Sequence, residues 1–96
     1  MRGTQVRIIV HEPDDWKNGN LFGTIVNDRG GKRLVVELIK PKDFILLSNL
    51  IELRPRGLKP SFKPLMQYYS VMVDGLFLDN EGNSMKGGIY GSVTID

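Results

Sequence analysis

The last stretch of the chain, Ile89–Ile95 (IYGSVTI), carries apolar side chains at every second position, interrupted only by Gly91. The same period of two appears near the start, where Val6, Ile8 and Val10 are the alternating apolar residues. A period of two places successive side chains on opposite faces of a strand, so both segments are predicted to be half-buried strands. Several short apolar stretches separated by Gly, Asn and Asp turn signals predict a mostly β fold, a small antiparallel barrel or roll of about five to seven strands.

Turn signals divide the chain between these two ends. Asp28-Arg29-Gly30-Gly31 favours a tight hairpin, because its residues tolerate positive φ. Residues 44–53 fit both a helical stripe and a strand end, and we favour a turn near 43–48 followed by a strand. Asp74-Gly75 fits either a turn or a bulge within a strand that continues to Leu78. The predicted strands cover residues 5–10, 21–27, 32–39, 49–54, 67–73 and 89–95.

The layout of strands over residues 5–54 resembles an SH3-like small barrel. The resemblance depends on a long first connection, a hairpin, a short turn and the run Phe22–Asp28 (FGTIVND). It implies a small binding module, but the paired tryptophans and groove tyrosines of peptide-binding SH3 domains are missing. We therefore expect an SH3-like core over residues 1–57. Residues 58–96 would form a linker and a C-terminal hairpin that completes or extends the same domain.

Length and composition are those of one soluble globular domain. The chain has 96 residues, is 41% hydrophobic and 25% charged, and contains no cysteine. Disulfides and cysteine zinc sites are therefore excluded, and no apolar run approaches the ~20 residues that a membrane helix needs. With no signal-peptide pattern at the N-terminus, a cytoplasmic location is expected. The chain ends at Asp96 directly after a predicted strand, as expected of an edge strand or of a segment from a larger protein.

Few residues could support catalysis. His11 is the only histidine, and the acidic residues beside it, Glu12, Asp14 and Asp15, belong to one loop. A catalytic triad or a zinc site needs more converging groups than one loop supplies, and no serine lies in a G-x-S-x-G elbow. The chain is therefore expected not to be an enzyme and to hold no metal or cofactor.

The acidic loop that follows the first strand is the first candidate binding surface. Its candidate residues are His11, Asp14, Asp15 and Trp16. A loop tryptophan commonly anchors a protein interface, because its ring buries a large area at low entropic cost. Trp16 could equally fold back as a lid over one end of the barrel. The first functional hypothesis is a non-catalytic interaction module that binds a protein partner through this loop or through an edge strand.

Charge is distributed unevenly and suggests a second function. Residues 29–63 hold nine basic side chains against three acidic ones, whereas the remainder holds four against eight. Such a basic region could bind the phosphate backbone of a nucleic acid, with Phe62, Tyr68 and Tyr69 as stacking surfaces. A weaker alternative is a small inhibitor or immunity-type protein that uses charge complementarity to its partner enzyme. The candidate basic patch consists of Arg29, Lys32, Arg33, Lys40, Lys42, Arg54, Arg56, Lys59 and Lys63.

The last strand also predicts association. Residues 89–96 are uncharged until the final residue and contain neither proline nor lysine, so the strand lacks the usual protection of an edge. It should therefore be central in the sheet or paired with another chain. The proline-rich linker 54–64 is long enough to let residues 65–96 reach a neighbouring chain, which predicts a homodimer through the C-terminal strand.

Overall fold

The computed structural model describes residues 2–17, 19–39, 49–56, 62, 69–85 and 87–95. Within these residues all strands belong to one closed barrel in which each strand is antiparallel to the next, and the last strand pairs with the first. The predicted small antiparallel β-barrel is confirmed. No helix in this part of the chain is long and apolar enough to span a membrane. The strands are β1 (Gln5–Glu12), β2 (Asn20–Asn27), β3 (Leu34–Leu38), β4 (Leu50–Pro55), β5 (Tyr69–Asp74) and β6 (Ile89–Ile95).

The alternation seen in the sequence builds the barrel interior. Val6, Ile8 and Val10 of β1 point inward and are buried, as are Ile89 and Val93 of β6. Fully burying each aliphatic side chain of this kind contributes about 1.5–3 kcal/mol. The described residues include no buried polar or charged side chain, so the interior is held by apolar packing alone.

β1 continues past the end of its apolar alternation because it contains a bulge. Val10 pairs with Gly91, and Glu12 pairs with Tyr90, which leaves His11 as the extra residue. The predicted strand ended at Val10, since the alternation stops there. The bulge keeps β1 hydrogen-bonded to β6 for two further residues and leaves His11 and Glu12 both exposed.

The connection between β2 and β3 is longer than the predicted hairpin turn. A 3₁₀ turn spans Arg29–Gly31, and all three of its residues have positive φ, at 43°, 71° and 89°. Asn27 Oδ1 accepts a hydrogen bond from Arg29 N at 2.8 Å, and Asp28 Oδ1 accepts one from Gly30 N at 3.2 Å. The predicted turn residues are therefore correct, but β3 begins at Leu34 rather than at Lys32.

Aromatic side chains close both ends of the barrel. At one end, the Trp16 and Phe77 rings meet edge to face with their centroids 5.6 Å apart, and both side chains are buried. Gly75 makes room there, because a Cβ on it would collide with the Phe77 ring. At the other end, Phe62 is fully buried, and its backbone N–H donates to Gly31 O at 2.6 Å.

The C-terminal half completes the barrel. β5 ends at Asp74, and Leu78 pairs only through an isolated bridge to Ser84. Of the two alternatives for Asp74-Gly75, a bulge within a strand that continues to Leu78 is therefore wrong. β6 is paired on one side with β1 and on the other with β5.

Of the two roles predicted for the last strand, the structure shows the central one. A dimer through β6 would require the barrel to open, and dimerisation stays a prediction. The SH3-like layout of residues 5–54 also stays a prediction. The turn predicted near 43–48, and residues 57–61 and 63–64 of the linker, lie outside the described residues.

Candidate functional site

The acidic loop and the β2–β3 hairpin of the basic patch lie at opposite ends of the barrel. β1 and β5 are both antiparallel to β6, so they run in the same direction and their following loops emerge at one end. The β2–β3 hairpin follows a strand of opposite direction and lies at the other end. Over described segments 12–17 and 79–85, five carboxylates oppose one lysine. We call Asp14, Asp15, Asp79 and Glu81, together with the Asn80 amide, the acidic face; Asp79 is half-buried and the other residues are exposed.

Hydrogen bonds join the two loops that carry the acidic face. The Trp16 indole Nε1–H donates to Leu78 O at 3.1 Å. Lys17 N donates to Asn80 Oδ1 at 2.9 Å, and Asn80 Nδ2 donates back to Asp15 O at 2.8 Å. Residues more than sixty positions apart in the chain are thereby fixed against each other, which no local sequence signal indicates.

Asp79, the first residue of the 79–83 turn, makes the hydrogen bonds that stabilise the turn. Asp79 Oδ1 accepts hydrogen bonds from Glu81 N and Asn83 N, both at 2.9 Å, and Asp79 N donates to Asn83 O at 2.8 Å. A side chain that satisfies two backbone donors holds the turn in one conformation. The Glu81 carboxylate is therefore presented from a rigid support.

A small cleft lies where the two loops meet. Its volume is about 180 Å³, smaller than the ~300–1,000 Å³ of a drug-sized ligand pocket. Its lining combines carboxylates with apolar and aromatic groups, so it can hold a side chain that has an apolar stem and a cationic end. The residues around it are Pro13, Asp15, Trp16, Asp79, Asn80, Glu81 and Met85.

The residues predicted to form the acidic-loop binding surface lie in three different places in the structure. Trp16 is only 5% exposed and packs into the core, so its position is that of the predicted lid. Asp14 and Asp15 are exposed, and Asp15 lines the cleft. His11 does not line the cleft; it lies on the outer surface of β1, with Nε2 2.6 Å from Ser92 Oγ.

Two carboxylates pair with three of the five described residues of the predicted basic patch. Arg29 Nε and Arg33 Nη1 lie 3.2 Å and 3.4 Å from the two carboxylate oxygens of Glu52. Arg54 binds Asp74 through two hydrogen bonds, Nε–Oδ2 at 2.6 Å and Nη2–Oδ1 at 3.1 Å. These pairs reduce the positive charge that the patch offers to a polyanion. Lys32 and Arg56 are exposed, and Lys40, Lys42, Lys59 and Lys63 lie outside the described residues.

The predicted stacking residues differ from those that the structure presents. Phe62 is fully buried, so its prediction as a stacking surface is wrong: the ring closes the barrel end. Tyr68 and the Tyr69 side chain lie outside the described residues. Tyr90 was not among the predicted residues, yet the centroid of its ring lies 4.1 Å from the guanidinium carbon of Arg56. Its outward position on the last strand could have indicated that this ring lies on the barrel surface.

No group of three or more His, Asp or Glu side chains among the described residues is arranged to hold a metal ion. Comparisons of the chain with protein-family models, with curated proteins and with solved structures find no match in any of the three.

Proposed function

We propose that this protein is a non-catalytic binding module that recognises a basic protein partner through the acidic face. A lysine or arginine side chain of the partner would occupy the cleft. The observation that carries this proposal is the joining of two distant loops by the Asn80 and Trp16 hydrogen bonds into one acidic surface.

Electrostatics favour a cationic partner. Carboxylates clustered at one end attract positive charge, accelerate association and repel acidic competitors. Asp15 and Glu81 border the cleft from opposite loops, so a cation placed between them would meet both charges. The Trp16 and Met85 side chains give the aliphatic stem of a lysine or arginine an apolar contact.

Preorganisation favours binding as well. A partner that had to order these loops would lose roughly 0.5–1.5 kcal/mol for each immobilised side chain. Here Asp79 already holds its turn and Asn80 already bridges the loops. The role of Trp16 in this proposal is to support the surface from below, since its ring is buried.

A hexalysine peptide is a suitable first probe, with amide and indole NMR shifts recorded during titration. We expect shifts at the Trp16 indole and around Asp79–Asn83. An acetylated hexalysine peptide, which lacks the charges, should not produce them. Asp15→Asn combined with Glu81→Gln should weaken binding by roughly two- to thirtyfold, since each exposed charge contributes about 0.2–1 kcal/mol.

Glu37→Gln is the control, because Glu37 is an exposed carboxylate on β3, outside the two loops. It should change the affinity by less than about twofold if the acidic face is the site. Equal weakening by Glu37→Gln, or shifts that map away from the two loops, would refute the proposal.

The inhibitor hypothesis uses the same surface, since an acidic face could cover a basic region of a partner enzyme. It differs from the module hypothesis only in what the partner does. Loss of the partner's activity on binding, abolished by the double variant at Asp15 and Glu81, would select it. The cytoplasmic location stays a prediction.

A further inference from the structure

A row of outward-facing polar side chains crosses four neighbouring parts of the barrel wall. Arg56 follows β4, and its backbone N donates to Ser70 O on β5 at 2.9 Å. Ser70 is the register partner of Ser92 on β6. The Ser92 hydroxyl lies 2.6 Å from His11 Nε2 on β1. We call Arg56, Ser70, Ser92 and His11 the polar row.

The Arg56 side chain is stacked rather than extended into solvent. Its guanidinium carbon lies 4.1 Å from the centroid of the Tyr90 ring. Tyr90 belongs to β6, two strands away from β4, so the arginine side chain must cross β5 to reach it. This crossing brings the guanidinium to the part of β6 that carries Ser92. Stacking orients one face of the planar group while its N–H groups still point outward from the edge.

The chemistry of this arrangement suits a phosphate next to a planar ring. A guanidinium, hydroxyls and an imidazole can all donate hydrogen bonds, and phosphate oxygens are acceptors. Arg56 is an exposed residue, and guanidinium planes stack on nucleic-acid bases. A phosphoserine or phosphothreonine peptide would supply the phosphate but no ring beside it, so the stacked arginine favours a nucleotide.

We propose that the polar row binds single-stranded nucleic acid. A backbone phosphate would accept hydrogen bonds from Arg56 and Ser92 with His11 alongside, and the adjacent base would stack on the outer face of Arg56. This site differs from the basic patch predicted from the sequence, of which it retains only Arg56. It is independent of the acidic face, so either proposal can fail alone.

One carboxylate beside the row refines the proposal. Glu12 is paired with Tyr90 in the register of β1 and β6, which places negative charge beside the row. Glu12 should therefore oppose phosphate binding, and Glu12→Gln should strengthen it.

Fluorescence anisotropy of a labelled oligothymidine of about ten nucleotides tests the site. Binding is first detected at low salt, and the variants are then compared at about 0.15 M ionic strength, where the Debye length is about 8 Å. Arg56→Ala should weaken binding roughly tenfold, within the range measured for removing one stacking contact. Arg56→Lys keeps the charge but not the plane, so it should recover only part of that loss. Ser92→Ala and His11→Gln should each weaken binding by roughly two- to fivefold.

Lys32→Ala is the matched control, because Lys32 is an exposed cation at the β2–β3 hairpin and its loss changes the net charge by the same amount. It should weaken binding less than about twofold once salt screens distant charges. Equal effects of Lys32→Ala and Arg56→Ala would show a non-specific electrostatic attraction and overturn the site. Absence of binding at low salt would also overturn it, as would binding of a phosphoserine peptide but not of the oligonucleotide.

Discussion

Trp16→Ala tests whether the tryptophan supports the barrel end. The Trp16 side chain is 5% exposed, and a buried aromatic side chain removes roughly 150–250 Å² from water. At about 25 cal/mol per Å², this burial gives an upper estimate of about 4–6 kcal/mol. Substitutions of this type cost about 3–5 kcal/mol, and we expect a value near the lower end. Trp16 lies in the connection between β1 and β2 rather than on a strand, which limits the loss.

Trp16→Phe separates packing from hydrogen bonding. Phenylalanine keeps a ring against Phe77 but loses the indole N–H that donates to Leu78 O at 3.1 Å. The expected cost is about 1–2 kcal/mol, from the lost hydrogen bond and the smaller ring.

Urea denaturation followed by far-UV circular dichroism measures these free energies of unfolding without using the tryptophan signal. With a slope of about 1–3 kcal/mol per M, a loss of 3 kcal/mol lowers the midpoint by roughly 1–3 M. Phe22→Ala is the control, because Phe22 is 42% exposed and should cost about 1 kcal/mol. The reasoning fails if Trp16→Ala costs no more than Phe22→Ala.

Three further outcomes are expected. Gly91→Ala should destabilise the fold by about 2 kcal/mol or more, because its Cβ would collide with the Ile9 carbonyl oxygen; Gly87→Ala, whose Cβ meets nothing within 4 Å, should be close to neutral by the same urea titration. Phe62→Ala should cost about 3–5 kcal/mol, since the ring is fully buried at the hairpin end, and a cost below about 1 kcal/mol would contradict its role as a plug. Light scattering over a hundredfold dilution should show a monomer, and amide exchange along Ile89–Ile95 should be slow in that monomer, because β6 is paired on both sides within the chain. Twice the monomer mass at high concentration would instead support the exchanged dimer.

Much of the barrel could be predicted because strand patterns are local. β6 begins and ends where the alternation of Ile89–Ile95 predicts, and β2 differs from its prediction by one residue. The two-residue error at the end of β1 arose because a bulge depends on the partner strand: Gly91 lets the β1 backbone come close enough to pair past Val10. No pattern within β1 itself carries that information.

The candidate surfaces were harder to predict because each joins residues distant in the chain. An acidic loop could be recognised from Asp14 and Asp15, but nothing local indicated that Asn80 would bridge it to a second acidic turn. The basic residues at 29–63 looked like one patch in the sequence, whereas carboxylates from β4 and β5 pair with three of them.

The sequence by itself determined the class of the fold, because the period of two selects which side chains of each strand are buried before any partner strand is known. It also determined where the chain turns, since residues such as Gly30 permit conformations that other residues avoid. Only the tertiary structure decided that the sheet closes, that Trp16 and Phe62 serve as plugs, and that Arg56 stacks on Tyr90. Closure and side-chain contacts of this kind depend on register and curvature, which arise when all strands pair and which no single segment encodes.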